Sequence, residues 1–166
     1  PLVYDSDSNV SLQQDFLLLG VTGPVLASAN VFPDAEPLIV TKIKVVLLSA
    51  ASSVDAFMIY DDSQAFVGKA YFDSGNTFTL NLKTQDFIIP KREEWSFYVR
   101  PVLKSFNGGG VSGQDIEISK LTIVGNGEWS HTEYTKSTSD SFSTYETARS
   151  AVVEISNGGD ETAALV

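Results

Sequence analysis

Alternation of apolar and polar side chains with a period of two residues is the feature that most constrains the fold of this chain. Between residues 39 and 47 one face is mainly aliphatic, whereas Lys42 and Lys44 project from the other face. Successive side chains of a strand point to opposite sides, so this segment predicts a β-strand with one buried face. Helical periodicity is hard to find along the chain. The aliphatic residues predicted for the buried face are Ile39, Ile43, Val45 and Leu47.

Further strands follow at short intervals and are separated by turn-forming residues. The β-branched and aromatic run Val54–Tyr60 stops at Asp61, and Ala65–Phe72 is predicted to return beside it as the second arm of a hairpin. Strands at this spacing are typical of an antiparallel β-sandwich, so the predicted class is all-β.

Two details of the pattern concern single positions. Trp95 shares its parity with Phe97 and is therefore predicted to pack in the core. Further along, the parity of the apolar residues changes at Ser119 and Lys120, which predicts a β-bulge there.

The chain divides into three predicted parts. Residues 1-24 form an N-terminal strand segment, and residues 25-129 form the β-sandwich core. Residues 130-166 comprise a Ser/Thr-rich edge hairpin or loop, followed by a C-terminal linker strand. The expected fold is thus a sandwich with extended strands at both ends.

Length, charge and cysteine content narrow the function classes. A chain of 166 residues fits one domain, alone or with appended segments, and it has no cysteine for a disulfide or a thiolate. Its formal charge of −10 argues against a nucleic-acid partner, which needs a concentrated basic surface. No apolar run approaches the roughly 20 residues of a membrane span. The acidic composition, rich in Ser and Thr, favours an extracellular, cell-surface setting.

No catalytic arrangement is predicted, so the chain is not expected to be an enzyme. Residues 108–113 match the string GxGxxG, but a strand follows instead of the helix that a dinucleotide site requires. His131 is the only imidazole and has no candidate base beside it in the sequence. Glu93 and Glu94 are adjacent, and neighbouring side chains of a strand point to opposite faces, so they cannot flank one glycosidic bond.

Two binding sites are candidates. Asp5, Asp7 and Asn9 have a spacing that presents oxygen ligands to Ca²⁺, although the rest of the loop excludes an EF-hand. No cofactor is required, and a bound Ca²⁺ and an acidic solvated turn both stay open. Tyr98 and Trp129 are the candidates for glycan contact, because the pattern leaves both of them outside the predicted core.

Apolar segments near the two ends predict contact between copies of the chain. Strands of this kind could add to an open sheet edge of a neighbouring copy, and a head-to-tail contact of that type produces a polymer. The residues predicted for this subunit interaction are Phe16, Leu17, Leu18, Leu19, Val152, Val153, Leu165 and Val166.

A set of short motifs resembles a known family. The motifs are Glu36–Ile43, Tyr60-Asp61, Val67-Gly68, Ile89-Pro90 and Ser112–Ile116. In this order they resemble the repeated immunoglobulin-like β-sandwich modules of large secreted surface proteins of candidate-phylum bacteria. The resemblance implies an immunoglobulin-like sandwich and a structural, non-enzymatic surface module, and it transfers no catalytic residues.

These observations lead to one expected function and one alternative. The expected function is a secreted structural module that self-associates into a cell-surface layer or filament, with strand donation as the contact. The alternative is a monomeric carbohydrate-binding or adhesion module of a larger exported protein.

Overall fold

The computed structural model of the chain is all-β over the residues that it describes, which are 16–83, 87–138, 142–149, 151–155 and 161–165. Asp5, Asp7, Asn9 and Val166 lie outside these ranges. Within them, the chain forms no long apolar helix of the kind that crosses a bilayer. The strands are β1 (Phe16–Leu18), β2 (Ala27–Val31), β3 (Leu38–Leu47), β4 (Val54–Tyr60), β5 (Phe66–Ser74), β6 (Thr77–Asn81), β7 (Ile88–Ile89), β8 (Trp95–Leu103), β9 (Asp115–Gly127), β10 (Glu133–Ser137), β11 (Thr144–Ala148), β12 (Ala151–Ile155) and β13 (Glu161–Leu165).

Eleven of these strands belong to one mixed sheet. Its order is β1-β11-β9-β3-β6-β5-β4-β8-β2, with β10 on β9 and β7 on β3, and β12 and β13 form a separate hairpin. Strands β3 to β6 are arranged as a Greek key, since β3 lies beside β6 and not beside β4. The pairing of β1 with β11 is parallel, and the other pairs of the sheet are antiparallel.

The sheet curls into a half-barrel. Strand β2, at one end of the strand order, faces β9 and β10 near the other end across a narrow gap lined by Asn30, Ile123 and Ser137. Strand twist and the bulges in the β3–β9 pair give the sheet this curvature. The predicted all-β class is confirmed, whereas the immunoglobulin-like sandwich is not, because the strands form one curled sheet.

The core fills the inside of the curl. Phe57 and Phe97 are fully buried, and the rings of Phe57 and Phe78 meet edge to face with centroids 5.0 Å apart. Trp95 packs against this core, as predicted. Ile43, Val45 and Leu47 are likewise buried on one face of β3, which confirms the alternation in that strand.

A bulge changes the first part of the predicted pattern in β3. The register against β9 shifts between Val40 and Lys42, so Val40 joins the core cluster and Ile39 does not. Ile39 is buried outside that cluster, in a short pair with Ile88. The extra residue reverses the parity of everything that precedes it, which alternation alone does not reveal.

The second bulge lies where the sequence predicts it. Val46 opposes Lys120 and Leu47 opposes Ile118, so Ser119 is the extra residue on β9. This long strand then serves two partners on its other side, β11 near its start and β10 near its end. The Ser/Thr-rich segment therefore supplies two strands that both pair with β9, and β11 pairs with β1 on its other side.

Candidate functional site

The parallel contact between β1 and β11 joins the first and last strands of the sheet. Phe16 pairs with Glu146 and Leu18 with Ala148, and the amide of Leu19 donates to the carbonyl of Ala148 over 2.9 Å. The apolar residues of this segment divide by parity. Leu17 and Leu19 are buried in the chain's own core, whereas the side chains of Phe16 and Leu18 remain exposed.

After β1 the same segment turns and pairs with β8. Gly20 has a positive φ of 83°, which glycine adopts without a steric penalty. Its amide donates to Lys104, and the amide of Gly23 donates to Pro101 over 2.8 Å. The N-terminal segment thus contacts β11 through its first residues and β8 through the next ones, so it links the two ends of the strand order.

Buried polar groups hold the end of β11 in place. The hydroxyl of Ser53 donates to the carbonyl of Val111 over 3.1 Å and accepts the amide of Val111 over 2.8 Å. The hydroxyl of Thr147 accepts the amide of Gln114 over 2.9 Å and donates to the carbonyl of Val111. The Gln114 side chain in turn accepts the amide of Ser53. We call Ser53, Val111, Gln114 and Thr147 the polar latch; the side chains of Ser53 and Thr147 are buried.

The direction of the two terminal strands has a mechanical consequence. Phe16 begins β1 and Ala148 ends β11, and the two strands run parallel. The points at which the chain enters and leaves this pair therefore lie at its opposite ends. A pull along the chain through both points would load the hydrogen bonds of the pair together, in shear, and not one after another.

A second polar cluster lies beyond the end of β9, around Glu36. This carboxylate accepts the amides of Trp129 and Ser130 over 2.8 and 2.9 Å, the Ser130 hydroxyl over 2.6 Å and the Tyr134 hydroxyl over 3.2 Å. The hydrogen bonds from Ser130, followed by those from Trp129 and Tyr134, outweigh the effect of burial and lower the pKa of Glu36 to about 2. A side chain at Gly127 would collide with this carboxylate, so the close approach requires glycine.

The Glu36 cluster presents Trp129 to solvent. The indole is 62% exposed, and the ammonium of Lys91 lies 5.6 Å from the ring centre. Tyr98, the other candidate for glycan contact, is half-buried on β8, where it pairs with Ser28 and Tyr60. The structure places the two aromatic residues in different elements, Tyr98 within a strand and Trp129 in a turn.

The remaining predicted positions have plain structural settings. His131 is exposed in a turn with a φ of 60°, and Glu93 and Glu94 are exposed in the connection before β8. Residues 108–113 form a loop that leads into β9, as predicted. Val152, Val153 and Leu165 lie in the hairpin of β12 and β13, in which Val152 pairs with Ala164.

The calcium site stays a prediction. Asp5, Asp7 and Asn9 lie outside the described residues. In the described part of the chain, no group of three or more His, Cys, Asp or Glu side chains could hold a metal ion.

Sequence reasoning did not identify the polar latch or the role of Glu36. The partners of Thr147 are 33 and 36 residues away, and the partners of Glu36 are 93 to 98 residues away. The only local signal for the latch is that a polar residue, Thr147, has the same parity as the half-buried Tyr145 in β11.

Comparisons with known proteins identify no family for this chain. No protein-family model matches the chain, and no curated protein matches it. One similar solved structure is described as "AvmM Catalyzes Macrocyclization in Alchivemycin A Biosynthesis". It covers 81% of this chain and 84% of that chain at 8% identity, with a TM-score of 0.43. A similarity of this size carries no functional information.

The polar latch predicts a specific loss of stability. Thr147→Val keeps the β-branched shape but leaves the main-chain amide of Gln114 without its acceptor. This loss should lower the free energy of unfolding by about 1–3 kcal/mol. Urea denaturation measures the change. Thr135→Val, on exposed β10, is the control and should stay within about 0.5 kcal/mol of the wild type. Equal effects of the two substitutions would contradict the latch.

Glu36 predicts a dependence of stability on pH. Its pKa is about 2 in the folded chain against an ordinary 4.5, so its contribution is fully present above pH 4.5 and is lost as the pH falls toward 2. The melting temperature of the wild type should therefore fall more steeply over that window than that of Glu36→Gln. Glu94→Gln, at an exposed position, should follow the wild type; identical pH profiles for all three proteins would disprove the assignment.

Proposed function

We propose that this chain is a non-enzymatic structural module of a secreted surface protein, and that it carries tension within a cell-surface layer or filament. The observation that carries the proposal is the parallel pairing of β1 with β11. Under tension a shear contact resists more than a contact that opens at one end, because its hydrogen bonds must break together.

Two features strengthen this contact beyond its few hydrogen bonds. Leu17 and Leu19 anchor β1 in the core, and pulling the strand out would expose both side chains at a cost of about 1.5–3 kcal/mol each. On the other strand, the polar latch fixes Thr147 to the loop before β9. We call β1, β11 and the polar latch together the terminal clamp.

The proposal includes contact between copies of the chain, made through exposed side chains of β1 and not by donation of the strand. Donation of the segment 16–19 to a neighbour would remove Leu17 and Leu19 from the chain's own core. Self-association without that loss would use the outward side chains of Phe16 and Leu18, which are exposed on β1. The acidic composition and the resemblance to repeated immunoglobulin-like surface modules support the extracellular setting and the structural role.

Single-molecule force spectroscopy on the chain pulled through its two ends tests the proposal. Leu19→Ala and Leu80→Ala truncate the same type of side chain at positions that are both 8% exposed; Leu19 follows β1 and anchors the clamp, whereas Leu80 lies on β6, outside the clamp. Each should lower the free energy of unfolding by about 2–5 kcal/mol. Only Leu19→Ala is expected to lower the unfolding force substantially, because the clamp must rupture first. An equal or larger fall in force for Leu80→Ala would refute the load-bearing role.

A second candidate function rests on Trp129. Its exposed indole is held on a turn by hydrogen bonds from the main chain to Glu36, and such a rigid aromatic surface suits stacking against a sugar ring. The function would be that of a carbohydrate-binding or adhesion module.

A glycan array distinguishes this second function. Trp129→Ala should abolish binding to any glycan that the wild type retains, because the stacking surface is gone, whereas Phe32→Ala, at another exposed aromatic position, should leave the binding unchanged. Loss of binding in both variants, or in neither, would speak against a site at Trp129.

A further inference from the structure

The outer face of the sheet carries a cleft that has no part in the terminal clamp or in the Glu36 cluster. Its volume is about 550 Å³, and its floor is formed by β3, β6 and β5. We call it the cationic cleft. The residues that define it are Lys42, Lys44, Lys69, Tyr71, Thr79 and Asn81.

The strand registers place these side chains on a regular grid. Lys44 pairs with Thr79, which pairs with Tyr71 on its other side. One step along the strands, Lys42 pairs with Asn81. Side chains two residues apart on a strand share a face, so Lys69 lies on the same face as Tyr71 and next to Asn81. Two parallel rows of polar side chains therefore cross three strands.

The charge of the cleft contrasts with that of the chain. The protein has a formal charge of −10, yet three of its eight lysines line this one cleft. Among the described residues, the only salt bridge joins Arg92 to Asp34, so no described carboxylate lies within 4.0 Å of these three ammonium groups. The carboxylate of Asp73 lines the cleft as well and accepts the hydroxyl of Thr79 over 3.0 Å.

Like charges gathered on one face of a sheet are destabilising unless something compensates them. A bound anion would supply that compensation. The row also continues across the sheet, since Met58 pairs with both Lys69 and Arg100. Lys42, Lys69 and Arg100 thus stand on every second strand, about 10 Å apart at a strand spacing of about 4.8 Å. This arrangement matches an extended polyanion that lies across the strands.

The uncharged side chains indicate the class of polyanion. Tyr71 is 58% exposed, which leaves its ring free to stack. The Asn81 amide stands between Lys42 and Lys69, where it can donate to and accept from sugar hydroxyl groups, and the Thr79 hydroxyl, which donates to Asp73, stands between Lys44 and Tyr71. An aromatic ring, amide and hydroxyl groups, and ammonium groups suit a sugar that bears a carboxylate.

We propose that the cationic cleft binds an acidic polysaccharide, a chain of sugars that carry carboxylate groups. The ligand lies across β3, β6 and β5, with its carboxylates at Lys42 and Lys69 and a sugar ring on Tyr71. This site is separate from Trp129 and from the terminal clamp, and it does not depend on the load-bearing role. A surface module with such a cleft would attach to an anionic matrix.

Calorimetry with polygalacturonate tests the site on the full chain. The wild type should bind polygalacturonate, fail to bind neutral dextran, and lose affinity as the salt concentration rises. Each exposed charge contributes a factor of roughly two to five to the affinity, so the double variant Lys42→Gln/Lys69→Gln should bind about tenfold more weakly. Tyr71→Ala should also weaken binding, because the sugar loses its stacking surface.

The double variant Lys104→Gln/Lys136→Gln is the matched control. Like the test variant it removes two positive charges, but at positions outside the cleft. Lys136 lies on β10, where it pairs with Ile123 on the inner face of the sheet, and Lys104 lies just after the end of β8. Its affinity should equal that of the wild type, and melting curves establish that every variant is folded. No binding by the wild type, an equal loss in the control, full affinity in Tyr71→Ala, or equally tight binding of single-stranded DNA would each overturn the proposal.

Discussion

The parallel contact between β1 and β11 is the interaction on which the arrangement of this protein depends. It brings the N-terminal segment to one end of the strand order, and the following residues carry that segment to β8 at the other end. The N-terminal segment therefore connects the two ends of the strand order across the open side of the curled sheet. Leu17 and Leu19 of this segment contribute to the core. Because the two strands run in the same direction, the contact also determines how a pull on the chain reaches the fold.

Polar groups organise the two ends of the sheet in similar ways. Ser53 and Thr147 are buried at one end, and Glu36 is largely buried at the other. Each is surrounded by donors or acceptors that include the main chain of a loop, and no described buried side-chain polar atom lacks a partner. A buried polar group is tolerated only when its hydrogen bonds are made, so these side chains specify one conformation for the loops around them.

The sequence predicted the strands well because a half-buried strand leaves its mark on consecutive residues. The hairpin of β4 and β5, the orientation of Trp95 and the bulge at Ser119 all follow from alternation and turn composition. The bulge between Val40 and Lys42 was not predicted, because Ile39 and Val40 are both apolar and either could have joined the core cluster. The immunoglobulin-like sandwich was not confirmed, since alternation identifies a buried face without saying which strand covers it.

The functional sites divide in a similar way between features that the sequence predicts and features that depend on the tertiary structure. The sequence by itself determined an acidic, all-β chain, with alternating strands, an apolar N-terminal segment and Trp129 outside the core. Only the tertiary structure decided that Leu17 and Leu19 would be covered by their own chain, that Thr147 would meet Gln114, and that Lys42 and Lys69 would share a cleft. The physical reason is that strand alternation is local, whereas each of these contacts joins residues far apart in the chain through the pairing order and curvature of the sheet.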